Sequence, residues 1–263
     1  MESIPEVIRD YWYLLPTFFC VAVLYSSVGF GGGSSYLAIL AICGIEFRSL
    51  RALALLCNIV VVSTGTYVFY RSGHLRLRRV WPLVLASIPL AFLGGTFQLT
   101  DQSFFVLLGI VLIGAAVLLW LQQARNPNAK TARGDDASDQ TPVATDWRTI
   151  AAGGSIGFLS GVVGIGGGVF LSPTLNLMKW DTAKAIAATA SLFILVNSVS
   201  GLAGQAMATD FTLDPALAAA LMVCVFLGGQ VGSRLGARFL PPAIIRKLTA
   251  ILVLVVGVRQ FFR

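Results

Sequence analysis

Long apolar segments separated by short polar connections make up almost the whole chain. Eight such segments can be read from the sequence, and they cover residues 11–44, 50–70, 80–98, 103–121, 148–178, 183–206, 213–233 and 243–262. Six of them have close to the roughly 20 residues that an α-helix needs to cross a bilayer. This pattern predicts an all-α, polytopic membrane protein.

The two longest segments are interrupted by the same glycine motif. Val28-Gly29-Phe30-Gly31-Gly32-Gly33 and Val163-Gly164-Ile165-Gly166-Gly167-Gly168 lie 135 residues apart. Each glycine lowers helix propensity by about 1 kcal/mol relative to alanine, so four within five residues should unwind the backbone. In lipid, the freed amide and carbonyl groups must face protein, water or a ligand. Broken helices at matching positions of two halves predict a transporter binding site.

The segments form two halves with the same plan. In each half the broken segment precedes a helix with polar residues, a segment with a Gly-Gly pair (Gly94-Gly95 or Gly228-Gly229) and a plain apolar helix. We therefore predict a four-plus-four repeat, with one membrane repeat at 1–121 and the other at 148–263. Residues 122–147 are too poor in apolar side chains to pack and are predicted to be a flexible cytoplasmic linker.

The basic residues indicate how the halves are oriented. The chain is 56% hydrophobic, 12% charged and carries a net charge of +7, but its Lys and Arg residues lie between apolar segments, as topology signals do. If all eight segments crossed, the 19 Lys and Arg residues would divide eight against 11; with both broken segments as re-entrant hairpins they divide 14 against five. The positive-inside rule favours hairpins, an inverted repeat and both termini outside. Full crossing of the broken segments is the alternative.

The sequence lacks the residue patterns of several other protein classes. Its four cysteines are widely spaced, it has one histidine, and no ATP-binding P-loop motif occurs. The acidic residues nearest the predicted spans, Glu46, Asp101, Asp181, Asp210 and Asp214, all fall at segment ends, so a buried carboxylate relay is not expected. We predict no catalytic residues, no metal site, no cofactor and no nucleic-acid partner. The chain is accordingly predicted not to be an enzyme.

Taken together, three features resemble the TauE/SafE family of sulfite exporters and sulfonate uptake permeases. They are the paired glycine motifs, the Gly-Gly pairs and the stretch Ala187-Ala188-Thr189-Ala190-Ser191 through Gly201. The resemblance implies a bacterial or archaeal inner-membrane carrier for small anions such as sulfite, thiosulfate, sulfonates or sulfoacetate. It leaves open the anion, the direction, the coupling ion (proton or sodium) and any homo-oligomer.

Candidate binding groups cluster at the breaks and on the helix that follows. A helix that resumes after a break presents N–H groups and a positive dipole end, which bind oxyanions. Polar residues at membrane depth tend to face the interior of a bundle. The predicted substrate-binding residues are Gly31, Gly32, Gly33, Ser34, Ser35, Asn58, Gly166, Gly167, Gly168, Asn176, Thr189 and Asn197. Further pathway candidates are Cys57, Ser63, Ser172, Thr174 and Ser191, and Arg48, Arg51, Lys179 and Lys184 are candidates for gathering anions at the two mouths.

Each of these assignments has a structural alternative. Glycines let helices pack closely, Asn, Ser and Thr join helices, and basic side chains extend to lipid headgroups. The leading functional hypothesis is a secondary anion transporter that works by alternating access. Its alternatives are a passive anion channel of the same architecture and a structural membrane subunit.

Overall fold

The computed structural model describes residues 12–27, 29–125, 147–178, 180–208 and 213–238. Every regular element in these ranges is an α-helix. The helices are α1 (Leu14–Ser26), α2 (Gly33–Ile42), α3 (Phe47–Arg71), α4 (Leu77–Thr96), α5 (Asp101–Arg125), α6 (Trp147–Val163), α7 (Gly168–Leu177), α8 (Ala183–Ala208) and α9 (Pro215–Arg238). The last predicted segment, 243–262, and linker residues 126–146 lie outside the described ranges.

Four of these helices are long and apolar enough to cross a membrane. Their candidate spans are Ser49–Arg71, Leu77–Thr96, Lys184–Ala208 and Pro215–Arg234, which are the second and third segments of each half. The all-helical, multi-pass membrane fold predicted from the sequence is confirmed at this level. The shorter apolar helices α1 and α2 precede the first of these spans.

The helix is interrupted at both glycine motifs, and two matching positions in each are left-handed; Gly166 of the second motif adds a third, with φ of 76°. Gly29 and Gly164 both have φ of 82°, and Gly32 and Gly167, which precede α2 and α7, have φ of 85° and 78°. Residues with side chains rarely adopt such left-handed conformations, whereas glycine does so at no steric cost. The unwinding predicted from helix propensity therefore occurs at turns that require glycine.

The two halves interlock rather than lying side by side. Helix α4 packs along α6 and α8 of the other half, α9 packs along α1 and α3, and α3 and α8 pack against each other between them. The Gly-Gly pairs lie at these crossings: a Cβ on Gly94 would overlap the Phe158 carbonyl, and one on Gly228 would lie 2.6 Å from the Phe19 oxygen. Small residues allow this close backbone approach.

Polar contacts also join the halves at both ends of the bundle. Arg76, just before α4, and Arg79, in its first turn, pair through Nη1 with Oδ2 of Asp181 at 3.1 and 2.5 Å. At the opposite end of α4, the side-chain amide of Gln98 donates to the carbonyl of Ala208, the last residue of α8. The connection before α4 therefore lies beside the one before α8, and the ends of α4 and α8 lie together.

Candidate functional site

The two glycine breaks meet at the side chain of Asn58. Asn58 lies in the middle of α3 with no solvent exposure. A Cβ on Gly31 or Gly33 would overlap its amide, so the first break wraps closely around this group. The amide Nδ2 also donates to the carbonyl of Ile165 in the second break at 3.2 Å. A single polar side chain thus contacts both interruptions of the membrane fold.

A second polar helix reaches the same point from the other half. A Cβ on Gly166 would lie 2.9 Å from Asn58 Nδ2 and 3.0 Å from Ser198 Oγ on α8. Ser198 was not among the binding residues predicted from the sequence. The available signal was its spacing of seven residues from Ser191, which places both hydroxyls on one face of α8.

Several buried polar atoms around the breaks lack a hydrogen-bond partner within the described part of the chain. They are Ser34 Oγ, Tyr36 Oη, Asn58 Oδ1, Ser160 Oγ, both amide atoms of Asn197 and Ser198 Oγ. Buried polar groups in proteins are nearly always bonded, and each unpaired group costs about 1–3 kcal/mol. A cluster of such groups around two unwound segments marks a place where water or a polar ligand can supply the missing bonds.

The helices that resume after the breaks begin without side-chain caps. The carbonyl of Gly32 accepts from the N–H groups of Ser35 and Tyr36, and Gly167 does the same for Phe170 and Leu171. The first N–H groups of a helix have no partner inside it and carry the positive end of the helix dipole. Both α2 and α7 therefore present hydrogen-bond donors at the breaks.

The two halves are not equivalent at this site. Ile194 contacts Gly166 and Gly168 in the way that Asn58 contacts Gly31 and Gly33. The first half thus supplies an amide where the second supplies an apolar side chain. One turn after Ile194, Ser198 brings a hydroxyl of the second half to Gly166.

Other candidate residues use their polar groups within the fold. Asn176 donates to the Ser172 carbonyl at 2.7 Å and Thr189 to that of Ala185 at 2.8 Å, so both bond within their own helices. Further structural contacts are made by Ser35 with the Tyr25 hydroxyl, Ser63 with the Ile59 carbonyl and Ser191 with Thr66 Oγ1. Cys57 is buried in the apolar core, and Ser172 and Thr174 are half-buried on α7.

The structure differs from the sequence analysis at Arg51. Instead of lying at a mouth, its side chain is inside the protein, with the residue only 2% exposed. Its Nη2 donates to the carbonyl of Gly161 at 2.9 Å. This carbonyl is available because the last four carbonyls of a helix have no N–H partner within it. Lys184 is exposed, as a mouth residue would be, whereas the Arg48 side chain and Lys179 lie outside the described residues.

Comparison with known proteins identifies the family. The family model described as sulfite exporter TauE/SafE matches residues 14–260. The chain belongs to the TauE/SafE family. It is 31% identical over 242 residues to the "probable membrane transporter protein y4hK" of Sinorhizobium fredii, covering 92% of this chain and 94% of that one. It is 25% identical over 204 residues to the "probable membrane transporter protein YunE" of Bacillus subtilis, covering 73% and 72%. No solved structure matches.

Membership of the TauE/SafE family makes this chain a membrane transporter rather than an enzyme. The resemblance drawn from its motifs is confirmed, and the match includes both glycine breaks and both Gly-Gly pairs. A transporter of this family acts on a small molecule.

Proposed function

We propose that this TauE/SafE protein is a secondary transporter of small sulfur-containing or organic anions, such as sulfite or a sulfonate, across the bacterial or archaeal inner membrane. The observation that carries the proposal is the meeting of two uncapped helix N-termini at the buried amide of Asn58, whose Nδ2 has a second N–H besides the one donated to Ile165. Helix N-termini and amide donors suit oxyanions because they supply N–H groups and positive potential together.

In this proposal the substrate lies between the two breaks. The N–H groups at the start of α2 and α7 bind its oxygens, and Asn58, Asn197, Ser34 and Ser198 supply further donors. Each of these side chains is less than about a tenth exposed and has at least one polar atom without a partner among the described residues. Binding would give an acceptor to the Nδ2 of Asn197 and to the hydroxyls of Ser34 and Ser198; the Oδ1 of Asn58 is itself an acceptor, so Asn58 can contribute only the second N–H of its Nδ2.

The inverted arrangement is part of the proposal, and two contacts support it. If all eight predicted segments crossed, the connections at 71–79 and 179–184 would lie on opposite faces of the membrane. The ion pairs of Arg76 and Arg79 with Asp181 join these connections. Likewise, Gln98 and Ala208 would lie on opposite faces but are hydrogen-bonded. With re-entrant broken segments, the two partners of each contact lie on the same face of the membrane.

The interlocked packing suggests which helices would move together in alternating access. Helix α4 with α6, and α9 with α1, form tightly packed pairs that combine the two halves. Rocking of one pair against the other, around α3 and α8, would expose the breaks first to one face and then to the other. The substrate site would stay fixed at the crossing of α3 and α8.

The test is uptake of labelled sulfite, thiosulfate and methanesulfonate by proteoliposomes under an imposed proton or sodium gradient. Wild type is compared with Asn58→Leu, which keeps the volume and removes the amide, and with Gln230→Leu as a control. Gln230 is a half-buried amide on α9 that donates to Thr64 Oγ1. We expect saturable, gradient-dependent flux that Asn58→Leu abolishes and Gln230→Leu retains. Non-saturable conductance would indicate a passive channel, and no flux of any anion by folded protein would favour a structural subunit.

A further inference from the structure

Arg51 carries a buried positive charge that the described part of the fold does not neutralise. Besides the bond to Gly161, its Nη1 lies 3.5 Å from the Phe97 carbonyl oxygen and its guanidinium carbon 5.9 Å from the centroid of the Phe104 ring. The Nε atom has no partner. Among the described side chains, no carboxylate lies within ion-pair distance of Arg51; both ion pairs found there involve Asp181.

These contacts hold the guanidinium in place but do not neutralise its positive charge. Gly161 is two residues before the last residue of α6, where the helix dipole is negative and favours a cation. Two backbone carbonyls and an aromatic ring are nevertheless neutral groups. Burying a charge is expensive unless an opposite charge accompanies it. Among the described residues, an anion is the group that this environment lacks.

Arg51 faces the second break on the same side of α3 as Asn58. A Cβ on Gly164 would lie 3.5 Å from Cβ and Cγ of Arg51, as Asn58 lies against Ile165 and Gly166. The two residues are seven positions apart, which is two helical turns and about 10 Å along the axis. The corresponding position in the other half is Ala187, whose carbonyl faces Gly29. The charge therefore belongs to one half alone.

We propose that Arg51 is a fixed cationic subsite that binds the oxyanion group of the transported substrate beside the second glycine break. This inference rests on the proposed function and makes it more specific, because the substrate is then selected by charge. The planar guanidinium can offer two parallel N–H groups to two oxygens of a sulfonate, sulfite or carboxylate, which an ammonium group does less well. Neutral molecules of the same shape are excluded.

The experiment compares binding of methanesulfonate with that of dimethyl sulfone, its uncharged counterpart of similar size, by calorimetry on the purified full-length protein. The variants are Arg51→Met, Arg51→Lys and, as a control, Arg71→Met. Arg71 is an exposed arginine at the far end of α3 whose guanidinium lies at the same 5.9 Å from the ring of Tyr67. It therefore matches the residue type, helix and ring contact of Arg51.

We expect wild type and Arg71→Met to bind methanesulfonate and to reject dimethyl sulfone. Arg51→Met should bind methanesulfonate about 30-fold or more weakly, since removing one partner of a buried charge pair typically has that effect. Arg51→Lys should fall between wild type and Arg51→Met, because the charge remains while the planar geometry is lost. If Arg51→Met stays folded but no longer prefers methanesulfonate over dimethyl sulfone, Arg51 acts as an anion subsite. A purely structural role would instead show as a loss of folding.

Two results would overturn the inference. Unchanged affinity and anion preference in Arg51→Met, with wild type binding the anion, would remove the subsite while leaving the proposed function intact. A wild type that binds and moves no anion would remove both. If Arg51→Met does not fold, anomalous scattering from selenite bound to the wild-type protein decides: selenium beside Arg51 supports the subsite, and selenium elsewhere excludes it.

Discussion

At the scale of the residue, the glycine breaks provide space as well as backbone freedom. Helix propensity explains why the chain unwinds there, but it does not explain Gly31 and Gly33, which have ordinary backbone angles. A side chain on either one would overlap the Asn58 amide. The glycines and Asn58 therefore depend on one another, and replacing one glycine should disturb the polar site directly.

We predict that Gly33→Ala destabilises the protein by about 1–3 kcal/mol, as overpacking of a filled site does, and abolishes anion uptake. Gly114→Ala is the matched control. Gly114 lies inside α5, and its new Cβ would meet its nearest neighbour, Phe170 Cε1, at 3.9 Å. That variant should be neutral or gain up to about 1 kcal/mol from helix propensity. Thermal unfolding in detergent and uptake by proteoliposomes measure both; equal effects of the two variants would contradict the role given to Asn58.

At the scale of the element, hydropathy was sufficient to predict the helices. The segment predicted at 50–70 is α3 (Phe47–Arg71), and the one predicted at 183–206 is α8 (Ala183–Ala208). Long apolar runs determine such helices locally. The end of α5 was less predictable: it continues to Arg125, into the stretch predicted as linker, because nothing in that sequence stops a helix until Pro127.

The site was predictable only in part, because its partners come from distant segments. Asn58 was chosen for its polarity at membrane depth, and the structure places it at the breaks. Asn176 was chosen for the same reason, yet it bonds within α7. Arg51 lies near a segment end, where the sequence predicts a residue at the membrane interface. Its hydrogen-bond acceptor, the carbonyl of Gly161, is 110 residues away along the chain. Hydropathy and helix period describe neighbours along the chain and cannot show which carbonyl of another half accepts a bond.

The Gly-Gly pair of α9 offers a sharp test of helix packing. A Cβ on Gly228 would lie 2.6 Å from the Phe19 carbonyl oxygen, whereas one on Gly229 would lie 3.6 Å from Val61 Cα, an ordinary contact. We predict that Gly228→Ala lowers stability by about 1–3 kcal/mol by separating α9 from α1, and that Gly229→Ala is tolerated. Thermal unfolding of the two variants under one detergent condition measures the difference. Equal melting temperatures would mean that α9 and α1 are not packed this closely.

At the scale of the whole molecule, the halves are joined by contacts of two kinds. Glycine crossings hold α4 against α6 and α9 against α1 through close backbone contact. The ion pairs of Asp181 and the Gln98 bond instead join connections at the ends of the bundle through polar side chains. The tight contacts suit bodies that move as units, and the polar ones suit ends that open and close.

The end contacts make a prediction about topology that labelling can check. In a cysteine-free background, single cysteines replace four exposed residues: Ser72 and Thr182 beside the Asp181 ion pairs, and Thr100 and Met207 near the Gln98 bond. With re-entrant broken segments, an impermeant maleimide should label Thr100→Cys and Met207→Cys in intact cells. Ser72→Cys and Thr182→Cys should be labelled only after permeabilisation, since the positive-inside rule assigns their face to the cytoplasm.

Each pair serves as a control for the other, because α4 separates Ser72 from Thr100 and α8 separates Thr182 from Met207 in both topologies. The two topologies differ in which of the four positions lie on the same face of the membrane. If all segments crossed, Ser72→Cys would share its labelling with Met207→Cys instead of with Thr182→Cys. That result would exclude the inverted arrangement and, with it, rocking around a site shared by the two breaks. Matched labelling of Ser72→Cys and Thr182→Cys would leave the crossing of α3 and α8 as the centre of an inverted pair of halves.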